Sequence, residues 1–262
     1  MKISQWIAVG ASEADMQRVT PLLMNEGSDV RQVRDFNEIE LSSLRQTVVR
    51  FYGRARSQAL VWLGPTARVP AEVAILGLAD MVLIDEQGGA PKAVGCFGDA
   101  MVASLAGQHA SIDRSGSGLV VGATDDARSF ISGLSRIGLR RILIVDSDDG
   151  KAESLAVAMR RRELSVEIEP LSRSYLTQLA SEAAIAVNFA DVEERDLIED
   201  VSYLNFLLPG GAWLDWTGAT REIGLAEEIQ NAGAVVLDVE HLKLKLEQTC
   251  IAEAQAYSRG SR

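Results

Sequence analysis

The chain has 262 residues, 47% apolar, 24% charged and 5% aromatic, which excludes a disordered chain, a collagen-like chain and a disulfide scaffold. Its 26 Lys and Arg against 37 Asp and Glu give a net charge of −11, a poor footprint for nucleic acid or an anionic membrane. No run reaches the roughly 18 apolar residues of a membrane span, and the opening MKISQWIAVGAS is too short for a secretory core, so a cytoplasmic protein is expected. The first candidate strand is Trp6 to Val9. Ser12 then stands as a helix cap, with Glu13 and Asp15 in the first turn and Met16, Val19, Leu22 and Leu23 on one face. The stretch Ala59 to Gly64 reads as a strand, Pro70 as a helix start, and Asp80 to Asp85 as a buried strand. The charges Asp29, Arg31, Arg34 and Asp35 read as a solvated surface.

After Gly118 the alternation is cleaner. Leu119 to Gly122, Arg141 to Asp146, Leu164 to Glu169 and Ala183 to Phe189 read as strands, followed by GAWLDW and GAVVLD. Asp125 to Ile137 and Ala152 to Arg162 read as helices, with Arg160, Arg161 and Arg162 as a solvated helix end. A long amphipathic helix from about Glu240 closes the chain. The expected class is α/β with parallel βαβ units in two lobes, the second a Rossmann-like doubly wound sheet. The polar segment His109 to Gly118 marks the main boundary. It gives a first, substrate lobe at 1–110, a nucleotide lobe at 111–240, and a C-terminal helix at 241–262 that returns to the first lobe.

The two cysteines, Cys96 and Cys250, have no metal spacing and fit a reduced compartment. His109 and His241 are the only histidines, so a multi-histidine metal site is excluded and a Ser-His-Asp triad would have to use one of them.

Gly122-Ala123-Thr124-Asp125-Asp126-Ala127 stands where a dinucleotide turn belongs, between a strand and a helix. Gly122 keeps the tight turn and Ala127 is small, but Thr124 takes the middle glycine's place. Asp125 and Asp126 bring negative charge to a helix start that otherwise welcomes anions. Two readings stay open: an altered cofactor turn, or two acids serving only as good first-turn residues. Asp146 ends the next strand, where an acid bonds a ribose hydroxyl, followed by Ser147 and Asp148. No Arg lies in Asp146 to Asp149, so NAD is favoured over NADP.

Leu242-Lys243-Leu244-Lys245-Leu246, followed by Cys250-Ile251-Ala252, resembles the C-terminal helix of the NAD(P)-dependent methylene-tetrahydromethanopterin and methylene-tetrahydrofolate dehydrogenases. Leu60 to Gly64 and Leu214 to Gly218 agree in order with that family. The resemblance implies a homo-oligomeric oxidoreductase of one-carbon metabolism. It implies hydride transfer from a methylene-tetrahydropterin to the nicotinamide, with no general base needed. It implies Lys243 at the active site, with Asp215 and Lys245 on the substrate side. A non-catalytic relative that binds a pterin or a protein partner is the alternative. More distantly, the second lobe is similar to shikimate dehydrogenases. There Asp99 matches the catalytic aspartate, while no lysine stands near Pro65 to Pro70 to match its partner.

Overall fold

The computed structural model describes residues 3–87, 89–108, 112–176, 178–179, 182–201, 205–221, 225–231 and 233–260. His109, within the expected boundary segment, lies outside the described residues. The chain divides into two units, 1–100 with 243–262, and 101–242. The C-terminal residues after Leu242 therefore group with the first unit.

The first unit contains β1 (Gln5–Val9), α1 (Glu13–Met24), β2 (Asp29–Val33), β3 (Thr47–Phe51), α2 (Ala55–Leu63), α3 (Ala71–Leu76), β4 (Met81–Ile84), β5 (Lys92–Val94) and the start of α4 (Phe97–Gly107). Its sheet runs β2-β1-β3-β4-β5. Ser12 caps α1 as expected: its hydroxyl accepts from the Asp15 amide at 3.2 Å, and Asp15 accepts the Ser12 amide at 3.0 Å. Asp29, Arg31, Arg34 and Asp35 are exposed, as read from the sequence.

Two expectations fail here. The stretch Ala59 to Gly64 is helix, not strand. Ala55, Ala59 and Leu63 recur at helical spacing and are buried, Val61 is 85% exposed, and Gly64 ends the helix at φ +65°. The sheet is also not all parallel, because β4 pairs antiparallel with both β3 and β5. The short connection from β4 to β5 permits only antiparallel neighbours, since a parallel pair needs a crossover of about a dozen residues.

The second unit contains β6 (Ser117–Val121), α5 (Asp125–Arg136), β7 (Arg141–Val145), α6 (Asp149–Arg160), β8 (Glu167–Leu171), α7 (Arg173–Leu176), β9 (Ala183–Asn188), α8 (Arg195–Val201), β10 (Leu207–Asp215), α9 (Leu225–Asn231) and β11 (Val235–Val236). Its sheet is parallel, in the order β11-β10-β9-β6-β7-β8. The order runs outward in both directions from the β9–β6 pair, which is the switch point of a doubly wound fold. The central strands β6, β7 and β9 are apolar on both faces, as a sheet covered by helices requires. The third strand starts at Glu167 rather than Leu164, whose side chain is 88% exposed. The last helix, α10, spans Val239–Gly260. Among the described residues no helix is long and apolar enough to cross a membrane.

Both units have their own apolar core. Ile7, Val9, Val49, Phe51 and Val82 anchor the first, and Leu119, Val121, Leu143, Val145 and Trp213 the second. The first unit also buries charge. Arg56 Nε donates to Asp80 Oδ1 at 2.8 Å, and the amides of Cys96 and Phe97 donate to Asp80 Oδ2 at 2.6 and 2.9 Å. Burial pushes the Asp80 carboxyl up, but Arg56, Arg50 and the two amides outweigh it and hold it below 3.8. A depressed folded pKa contributes stability that is complete above the unfolded value and is lost as pH falls through the folded one. Unfolding free energy is therefore expected to fall as pH drops below about 4, and Asp80→Asn to flatten that fall. Urea titrations across this window check it. An unchanged slope would mean that Asp80 does not titrate below its ordinary range.

Candidate functional site

The second unit brings the exits of β6, β7 and β9 together at the switch point. The ladder continues past the strands: the Gly122 amide donates to Val145 O at 2.8 Å and the Phe189 amide to Val121 O at 2.7 Å. Gly122 has φ +91°, and a Cβ there would lie 2.7 Å from Ala190 N. Packing against backbone thus demands this glycine without any ligand.

Thr124 caps α5, its hydroxyl accepting from the Ala127 amide at 3.4 Å. Asp125 lies 3.4 Å from the Arg128 guanidinium, and Asp126 accepts from Trp216 Nε1 at 3.0 Å. Trp216 joins Phe130 and Phe189 in a cluster with ring centroids 5.1 to 6.3 Å apart. Both first-turn acids thus have defined structural partners.

Asp146 directly follows β7, but turns inward and is 3% exposed. Its Oδ2 accepts the Ala123 amide at 2.7 Å, and its Oδ1 accepts the Asp148 amide at 2.9 Å. Asp148 caps α6 by accepting the Gly150 amide at 2.8 Å. Beside this turn lies a hollow of about 400 Å³ lined by Ala123, Thr124, Arg128, Asp148, Gly150 and Lys151, within the ordinary size range of ligand pockets. The Arg128 Nε is buried in its wall and meets no acceptor among the described residues. Its side chain as a whole is a third exposed, and with the exposed Lys151 it brings positive charge to the hollow, where phosphate oxygens would pair with it. The residues therefore fit the phosphorylated half of a nucleotide, although the Ala123 amide is already taken by Asp146.

Asp215 is placed otherwise than as a substrate group. Its carboxylate accepts from Asn188 Nδ2 at 3.0 Å, from the amides of Gly218 and Thr220 at 3.1 and 2.9 Å, and from the Thr220 hydroxyl. It is buried and organises the turn after β10.

In the first unit, Asp99 is exposed in the first turn of α4, while Lys243 and Lys245 are half-buried on α10. Lys245 donates to Gln248 Oε1 at 3.2 Å. One turn beyond Lys243, Glu247 is buried with Arg50: Arg50 Nη2 donates to Oε1 at 2.9 Å, and Tyr52 Oη donates to Oε2 at 3.2 Å. Burial and the neighbouring Glu247 carboxylate push the Tyr52 phenol well above its usual range. Cys96 and Cys250 are buried as thiols, and their mutual hydrogen bond, with burial, pushes Cys96 up. The sequence reading missed Arg50, Arg56, Asp80 and Glu247. A signal existed: an arginine inside the apolar strand TVVRF has to find a buried partner. Among the described residues no cluster of three or more His, Cys, Asp or Glu could hold a metal.

No family model and no curated protein matches the chain. Solved structures do. The shikimate 5-dehydrogenase of Listeria monocytogenes, determined with shikimate and NAD, is similar at TM-score 0.74 and 14% identity, over 98% of this chain and 92% of that one. The shikimate 5-dehydrogenase of Thermus thermophilus, determined with NADP(H) and shikimate, is similar at TM-score 0.70 and 18% identity, over 97% and 94%. The quinate dehydrogenase of Corynebacterium glutamicum, determined with NAD, is similar at TM-score 0.68 and 15% identity, over 96% and 94%.

These matches overturn the one-carbon reading, with its methylene-tetrahydropterin substrate. The run that carried it, Leu242 to Leu246 with Cys250, places Leu242, Leu246 and Cys250 on the buried stripe of α10. That spacing is what helix packing requires, and it carries no information about a pterin. The fold is the two-domain α/β architecture of the shikimate dehydrogenase type, with a Rossmann-like parallel sheet and a C-terminal helix.

Proposed function

We propose that the chain is a nicotinamide-nucleotide-linked oxidoreductase that oxidises a small hydroxylated acid of the kind shikimate and quinate exemplify. The observation that carries this reading is the hollow at the end of β6 and β7, with Arg128 and Lys151 in its lining. The fold likeness gives it context. Arg128 and Lys151 hold the anionic part of NAD or NADP, and Gly122, Ala123, Thr124 and Ala127 shape the turn beneath it. When bound, the nicotinamide supplies the hydride acceptor.

The first unit then serves the substrate. Oxidising an alcohol releases a proton from the hydroxyl as the hydride leaves carbon, so a side chain must accept it. Lys243 takes that role, and Asp99 accepts a hydrogen bond from a substrate hydroxyl. The test is initial-rate oxidation of shikimate and quinate with NAD⁺ or NADP⁺, followed by nicotinamide absorbance. Lys243→Met is expected to lower kcat at least about 100-fold with nucleotide affinity unchanged. Wild-type turnover by Lys243→Met would remove Lys243 from the chemistry.

A further inference from the structure

The switch point carries a feature that neither strand pattern nor fold accounts for. In the sheet, β6 lies between β9 and β7, so the Gly122 turn leaves between the loops that follow those two strands. The two loops are tied together. Ser147, just after β7, donates its hydroxyl to Glu194 Oε1 at 2.6 Å, and Glu194 belongs to the short helical turn Val192–Glu194 that follows β9. Glu194 Oε2 in turn accepts the Asp191 amide at 3.3 Å. Ligands of doubly wound folds enter the crevice outside the strand ends at this point.

The acid at the end of β7 is spent on its own turn, since both Asp146 oxygens accept internal donors. The loop's own exposed acids have local donors too, Asp148 accepting the Gly150 amide and Asp149 the Ser172 hydroxyl, and Glu194 adds a half-exposed carboxylate from the β9 side. We infer that Glu194 is the specificity-determining residue of the nucleotide crevice. Its carboxylate stands beside the loop that receives the adenosine ribose and disfavours a 2′-phosphorylated ribose. An unphosphorylated ribose can instead donate a hydroxyl to it, so NAD is selected over NADP. This inference rests on the proposed nucleotide site.

The experiment is a pair of calorimetric titrations, NAD⁺ and NADP⁺, on the wild type and on Glu194→Gln and Glu194→Ala. Glutamine removes the charge and keeps both contacts with one reversed, its nitrogen donating to the Ser147 hydroxyl and its oxygen accepting the Asp191 amide, which separates charge from loop geometry. The ratio of NADP⁺ to NAD⁺ dissociation constants is expected to fall about tenfold in both variants, mainly through tighter NADP⁺ binding. A purely structural role would weaken both nucleotides together and leave that ratio in place. If the wild type binds NAD⁺ and the ratio does not move, Glu194 does not set specificity and the nucleotide reading survives. If neither nucleotide binds any of the proteins, both readings fall.

Discussion

Gly122→Ala is expected to destabilise the second unit by about 3 kcal/mol or more. Two costs combine. A residue at φ +91° with a Cβ is strained, and that Cβ would lie 2.7 Å from Ala190 N and 2.8 Å from the Phe189 carbonyl carbon. These neighbours are backbone, at the exit of β9, so relief requires shifting the central strands. Gly210 is the internal control. It also has positive φ, +76°, but nothing lies within 4 Å of its Cβ position. Gly210→Ala should cost only the conformational part, about 1 kcal/mol. Urea unfolding of both variants, followed by tryptophan fluorescence, separates the two costs. Equal losses would show that the approach to Ala190 does not constrain the turn.

The second large effect belongs to the buried pair Arg50–Glu247, whose side chains are 2% and 3% exposed. Arg50 also donates to the carbonyls of Phe51 and Asp80 at 2.6 and 2.8 Å, and its guanidinium lies over the Tyr52 ring at 4.6 Å. Removing one partner leaves an uncompensated buried charge. Arg50→Met and Glu247→Gln should each cost about 3–5 kcal/mol. The double variant leaves no orphaned charge and should cost clearly less than the sum. Strict additivity in the unfolding free energies would mean that the two groups do not interact in the folded protein. The contact ties α10 to β3, so this cycle also measures how firmly the C-terminal helix is held to the first sheet.

Sequence periodicity made the second unit legible because its strands are short apolar runs separated by amphipathic helices with clear caps. Thr124 caps where the pattern places a helix start, whereas α6 starts at Asp149, capped by Asp148, ahead of the expected Ala152. The first unit was harder. The run Ala59 to Gly64 is as apolar as a strand, and only the buried spacing of Ala55, Ala59 and Leu63 marks it as helix. The antiparallel pairing of β4 with β3 follows from tertiary packing and leaves no local signature, whereas the short link from β4 to β5 does. At the site, the position of Asp146 was readable but the direction of its carboxylate was not, because that depends on which amides the turn offers it. Arg128 and Glu194 escaped because their significance lies in contacts between segments distant in sequence. The LKLKL run misled because helix packing and a family motif demand the same leucine spacing.

Everything proposed for the chemistry depends on the hollow at the β6–β7 exits holding a nicotinamide nucleotide. Calorimetric titration of the purified chain with NAD⁺ and then NADP⁺, repeated on Arg128→Ala, tests this most directly. Saturable binding of at least one nucleotide is predicted, with Kd of about 1 mM or tighter and weaker by about tenfold in Arg128→Ala. A folded protein that binds neither nucleotide would contradict the assignment.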